Sequence, residues 1–186
     1  MSGKLELIIG PMFSGKSTEL IRQIKRFRAI DKKVLVIKPK LDNRYSQYKL
    51  VSHNNNSENC IVFENLDNID YDIFNDYEII IIDEAQFFIN LKQFVLHLVE
   101  KLNLYVIIGG LDGDYKREPF GEILELIPYA DDYKKLSALC KYCNNGTPAI
   151  FTKRIIENKQ DDINTNQILI GSNDYYIPLC RFHYCN

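Results

Sequence analysis

The chain has 186 residues, with 23 basic and 25 acidic side chains giving a formal net charge of −2, and with 46% hydrophobic against 26% charged residues. That length suits one domain, or one plus an appendage, and carries enough apolar mass to bury a core. The near-neutral balance excludes a histone-like protein that coats polyanions, although a local basic patch remains compatible with it.

In chain order, residues 5–9 form an apolar run too short for a secretory leader and predict a first core strand. It leads into Gly10-Pro11-Met12-Phe13-Ser14-Gly15-Lys16-Ser17, which fits G-x-x-x-x-G-K-[ST], and then into an amphipathic helix over 17–28. Strand, glycine-rich loop and helix together make a phosphate cradle. The loop turns N–H groups inward, the helix start adds partial positive charge, Lys16 neutralises the β/γ oxygens and Ser17 is a ligand for Mg²⁺.

Further strands are predicted at 34–38, 79–83 and 104–109, whose continuous Ile, Val and Leu content suits a parallel sheet buried on both faces. A second covering helix is predicted over 91–102, where apolar residues recur every three or four positions. The basic run between Arg22 and Lys40 reads as a solvated or subunit-contacting face. The Asn-rich stretch 52–59 reads as a polar loop.

Two carboxylates, Asp83 and Glu84, end the third strand, where a P-loop protein places an acid to orient Mg²⁺ and a neighbour able to accept a proton. Asp42 and Arg44 follow the second strand at the carboxyl edge of the sheet. There the guanidinium can meet phosphate oxygens, with Asp42 orienting it or a metal-bound water.

Beyond 136 the texture changes to short strand-like pieces and four of the five cysteines. Cys140, Cys143, Cys180 and His183 follow the pattern C-x₂-C … C-x₂-H and offer a closed tetrahedral Cys₃His shell for structural Zn²⁺, with Cys185 as the alternative fourth ligand. The expected division is therefore a nucleotide-binding α/β domain over 1–136 and a small zinc-stapled, β-rich domain over 137–186. No apolar window is long enough to cross a bilayer, and the cysteine usage fits a reducing compartment, so a cytoplasmic protein without a membrane partner is expected.

The ordered set GPMFSGKST at 10–18, DNRY at 42–45, IDEAQFF at 82–88, LDGDYKREPFG at 111–121, Cys140-x₂-Cys143 and TKR at 152–154 resembles the zinc-containing thymidine kinase family. The resemblance runs over nearly the whole chain. It implies a RecA-like P-loop domain with a mainly parallel sheet and a zinc-ribbon-like lasso domain that closes over the nucleoside.

It also implies roles. Gly10, Pro11, Met12, Phe13, Ser14, Gly15, Lys16 and Ser17 hold ATP, together with Asp83 and Gln86. Ser17 and Asp83 hold Mg²⁺. Glu84 is the base, and Arg44, Lys16 and Asp42 serve transfer. Phe87, Leu111, Tyr115, Phe120 and Thr152 surround thymidine, as do Gln167, Ile168, Leu169, Ile170 and Gly171, with Tyr176 on the lasso and its register against Tyr175 open. The resemblance further implies feedback by dTTP, a homotetramer or dimer, and no nucleic-acid partner. The competing expectation from the residues alone is a P-loop ATPase whose zinc module binds nucleic acid.

Overall fold

The computed structural model describes residues 2–40, 49–51, 57–67, 69–155 and 175–186. Its centre is a six-stranded sheet built from β1 (Lys4–Ile9), β2 (Val34–Pro39), β5 (Ile61–Phe63), β6 (Ile79–Ile82), β7 (Tyr105–Gly110) and β8 (Asp132–Lys135). The strand order is β5-β2-β6-β7-β1-β8, and every pairing is parallel. The chain is thus an α/β protein with a parallel central sheet. Crossover connections force helices onto both sheet faces, and the strands must be apolar on both sides.

The period-2 alternation of side chains divides each apolar run between two cores. Leu5, Leu7 and Ile9 of β1, Leu35 and Ile37 of β2, Ile80 and Ile82 of β6, and Val106 and Ile108 of β7 enter one cluster. The intervening Ile8, Val36, Ile79, Ile81 and Ile107 enter the other, against α1 (Lys16–Arg28) through Leu20, Ile21 and Ile24. Each such fully buried aliphatic side chain contributes about 1.5–3 kcal/mol. Glu19 in the first turn of α1, and Lys25, Arg26 and Arg28 in the last, match the helix dipole.

On the first face, α2 (Leu91–Leu96) does not continue to residue 102 as a regular α-helix. It passes into a π-helical turn over His97–Lys101, in which the Leu102 N–H donates to the carbonyl of His97 five residues back at 3.2 Å. The extra residue per turn keeps Leu98 and Val99 buried. The edge strand β8 is wholly exposed in its side chains, and so carries no apolar signal. Its place beside β1 is fixed by hydrogen bonds at both ends, between Asp131 and Leu5 and from Leu136 to Ile9.

The stretch expected as a polar loop contains a strand: β4 (Ser57–Asn59) pairs antiparallel with β3 (Lys49–Val51). The polar side chains hid it, because backbone pairing alone defines it.

Among its described residues, the C-terminal part holds two small antiparallel ribbons and a short helix. β9 (Ala138–Leu139) pairs with β10 (Pro148–Ala149), β11 (Phe151–Arg154) pairs with β12 (Tyr176–Leu179), and α3 (Arg181–Cys185) follows. Their shared core is small: Ala138, Cys140, Ala149, Ile177, Leu179 and Cys180, with Phe13 of the glycine-rich loop packed against it. A core of that size needs a further constraint to be stable.

Candidate active site

The glycine-rich loop leaves the carboxyl end of β1 and enters α1 through Gly15, whose φ of +84° is open to glycine at no steric cost. Inside the loop, the Ser14 hydroxyl and the Lys16 ammonium both donate to the Pro11 carbonyl, each at 2.8 Å. Lys16 is buried, so its charge is held under the loop. Loop N–H groups, a helix start and an ammonium in one short segment are the parts from which a polyphosphate cradle is built.

The neighbouring carboxylate comes from β6. Asp83 directly follows β6, its N–H donating to the Ile37 carbonyl of β2 at 3.0 Å, and it is 3% exposed. Its Oδ2 accepts from Ser17 Oγ at 3.0 Å. A hydroxyl and a carboxylate oxygen side by side are the hard oxygen donors that Mg²⁺ takes, so the residues fit that ion.

Gly109 of β7 lies beside both Leu20 of α1 and Asp83. A Cβ there would stand 2.6 Å from Leu20 Cδ1 and 3.2 Å from Asp83 Oδ1.

Past Asp83 the chain turns sharply. Glu84 has φ +50° and ψ +40°, an uncommon conformation for a residue with a side chain, and opens a 3₁₀ turn over Ala85–Phe87. Gln86, buried, bridges two partners. Its Nε2 donates to Glu84 Oε2 at 2.6 Å, and its Oε1 accepts from the Leu111 N–H at 2.9 Å. Glu84 is thereby tied to the end of β7.

The loop after β7 is shaped by Asp114, a residue the sequence reading passed over. Its Oδ1 accepts from the N–H groups of Lys116 at 2.7 Å and Glu118 at 3.0 Å, and Gly113 bridges to Pro119. The signal was present as an Asp two and four residues before N–H donors in a Gly-containing turn. This loop carries Tyr115, and Phe120 beyond it meets Phe87 edge to face with centroids 5.5 Å apart. Thr152 on β11 is buried, and its Oγ1 accepts from the Met12 N–H at 3.0 Å. Tyr176 is buried on β12, directly opposite Arg154, whereas Tyr175 is exposed.

The structure thus gathers the glycine-rich loop, Asp83, Glu84, Gln86, Phe87, Leu111, Phe120 and Thr152 through direct contacts. Asp42, Arg44, Gln167, Ile168, Leu169, Ile170 and Gly171 lie outside the described residues.

Cys140, Cys143, Cys180 and His183 form a second centre, with one ligand atom from each within 4.8 Å of all the others. His183 Nδ1 lies 3.5, 3.3 and 3.5 Å from the sulfurs of Cys140, Cys143 and Cys180, and the last two sulfurs are 3.8 Å apart. Tetrahedral Zn²⁺ with bonds of about 2.3 Å to sulfur and about 2.0–2.1 Å to nitrogen requires edges of roughly 3.5–3.8 Å, so the set fits a metal such as zinc. Cys185 stands apart, exposed, with its sulfur 3.8 Å from Arg117 Nη1.

Charge supports the fit. Burial pushes the Cys140 thiol up, but N–H groups of Cys180, Cys143 and Tyr142 and the His183 ring outweigh it and bring it down to about 6. Cys143 moves upward, through desolvation and through its neighbours Cys140 and Cys180. One thiolate opposes the next, and a bound cation relieves that conflict.

Four of the eight basic residues between Arg22 and Lys40 form ion pairs with acids among the described residues. Arg22 meets Glu19 at 2.6 Å, Lys32 meets Glu78 at 2.5 Å, Lys40 meets Glu64 at 2.9 Å, and Arg28 pairs with Glu58. Among the described residues, no helix is long and apolar enough to cross a membrane.

Comparison with known proteins agrees with this geometry. The family model Thymidine kinase matches residues 3–184. Thymidine kinase a of Arabidopsis thaliana is 41% identical over 187 residues, an alignment spanning 98% of this chain and 75% of the plant protein. With a phosphate loop, a strand-end acid pair and a Cys₃His cluster in one chain that the family model spans almost end to end, the chain belongs to the thymidine kinase family.

Proposed function

We propose that this chain transfers the γ-phosphoryl group of ATP to the 5′-hydroxyl of thymidine, giving dTMP. The observation that carries the reading is the acid pair at the end of β6: Asp83 bonded to Ser17 of the phosphate loop, and Glu84 beside it, held by Gln86.

In this reading the loop from Gly10 to Ser17 cradles the triphosphate. Ser17 and Asp83 hold Mg²⁺, which when bound neutralises the β and γ oxygens. Lys16 leaves its Pro11 carbonyl for the phosphates, where its charge offsets that developing in a loose transition state. Glu84 accepts the proton of the 5′-hydroxyl. Asp42 and Arg44 assist transfer from the nucleotide side.

Phe87, Leu111, Tyr115, Phe120, Thr152 and Tyr176 surround the base, and the main chain from Gln167 to Gly171 reads the O2, N3–H and O4 edge of thymine. Zn²⁺ on Cys140, Cys143, Cys180 and His183 is structural, because four protein ligands leave no open position. Residues 1–136 bind the nucleotide and 137–186 close over the nucleoside. Feedback by dTTP, a tetrameric or dimeric assembly and a cytoplasmic setting belong to the same reading.

The test is phosphate transfer from labelled ATP with Mg²⁺, offering thymidine, deoxyuridine, deoxycytidine and deoxyadenosine in parallel, with a control lacking nucleoside. Label in dTMP, with little in the cytosine or purine products, is expected. Phosphate release indifferent to nucleoside would favour an ATPase.

A further inference from the structure

Tyr184 joins the Cys₃His centre to the loop that carries Tyr115. It follows His183 directly in α3, a helix of only five residues. A helix that short does not persist on its own. Two of the four ligands, Cys180 at its start and His183 within it, hold α3 in place.

From there the Tyr184 hydroxyl donates to the main-chain carbonyl of Tyr115 at 2.6 Å. The Tyr184 ring is also packed, with its centroid 5.1 Å from that of Phe151 and the guanidinium of Arg117, a residue of the same loop, 4.7 Å away. Asp114 fixes the internal shape of the Tyr115 loop. The hydroxyl of Tyr184 ties the same loop to an element outside it. The Tyr115 ring is in turn faced by the Arg154 guanidinium at 5.3 Å, a cation–π contact that steadies its plane.

We propose that Tyr184 is a positioning residue for nucleoside binding: through its bond to the Tyr115 carbonyl, the metal centre sets where the Tyr115 ring meets the base. The proposal rests on the reading of Tyr115 as a base-contacting residue.

Removing only the hydroxyl, in Tyr184→Phe, leaves the ring stack and therefore α3 and the metal ligands in place. A neutral hydrogen bond is lost, which predicts a rise in KM for thymidine of about three- to ten-fold, with kcat, KM for ATP and zinc per chain unchanged. The second variant is Tyr115→Ala, which by itself raises KM for thymidine. In that background Tyr184→Phe adds nothing, because the ring it positions is gone.

An unchanged thymidine KM in Tyr184→Phe, beside a raised one in Tyr115→Ala, overturns the proposal and leaves Tyr115 in its role. Full additivity of the two substitutions, or parallel losses for ATP and zinc, makes Tyr184 merely structural and also overturns it. An unchanged thymidine KM in Tyr115→Ala removes Tyr115 from the base pocket, and the proposal with it.

Discussion

The Met12 N–H donates to Thr152 Oγ1 at 3.0 Å, so a hydrogen bond joins the phosphate loop to a hairpin 140 residues further along the chain. Phe13, the next residue, packs on the small C-terminal core. Loop shape and hairpin placement are therefore mechanically linked. Thr152→Val keeps the volume but removes the acceptor, leaving a part-buried N–H unsatisfied at a cost of about 1–3 kcal/mol. Higher KM values for both ATP and thymidine, with a melting temperature lower by several degrees, are expected. Thr152→Ser, which retains the hydroxyl, should stay near wild type; if the two variants behave alike, the bond is not what matters.

Glu84→Gln preserves the shape and the uncommon backbone at that position while removing the carboxylate proposed as the base. Turnover should fall about 10²–10⁴-fold with KM for ATP little changed. Wild-type turnover in this variant would assign proton removal to another group.

Cys140→Ser takes one ligand from a cluster that sits in a small core of the described residues, beside Ala138, Ala149, Ile177 and Leu179. Loss of zinc by elemental analysis and a larger rise in KM for thymidine than for ATP are expected, because the cluster secures β9 to β12 and α3 rather than the main sheet. A chelator should reproduce the pattern. Equal losses for both ligands would contradict this division.

Tyr105 gives a pH prediction. Burial, and then the bond its hydroxyl donates to Glu6 Oε2 at 2.5 Å, push its phenol above the ordinary tyrosine value. The folded state therefore holds the proton more tightly than the unfolded chain. The contribution is complete below about pH 10, where an unfolded tyrosine titrates, and is lost as pH rises from there towards the folded value. Urea midpoints of wild type should decline above about pH 10 relative to Tyr105→Phe, which has no phenol to ionise. Parallel curves for the two proteins would exclude it.

The elements most legible in the sequence were those that identify themselves by side-chain chemistry. β1, β2, β6 and β7 announced themselves as Ile/Val/Leu runs because the sheet is buried on both faces. The glycine-rich loop and the cysteine spacing were legible because phosphate and metal dictate residue type and interval. What stayed hidden is held by the main chain. β8, with every side chain exposed, and β4, read as loop, exist through backbone pairing. The π-turn after α2 changes hydrogen-bond span without altering which residues are apolar. Near the site, Tyr184 acts on a backbone carbonyl 69 residues away, a group every residue possesses, so spacing alone could not reveal its partner.

Gly109 bears on the portability of the phosphate-loop motif. The residues that name the motif lie between 10 and 17, yet Leu20 of the following helix and the acid bonded to Ser17 both lie against a strand nearly a hundred positions later, where a single methyl group would collide with Leu20. A designer who grafts the eight-residue loop onto another strand and helix transplants the lettering without that clearance. A host whose facing strand carries a side chain there would have to move the residue that stands where Leu20 does.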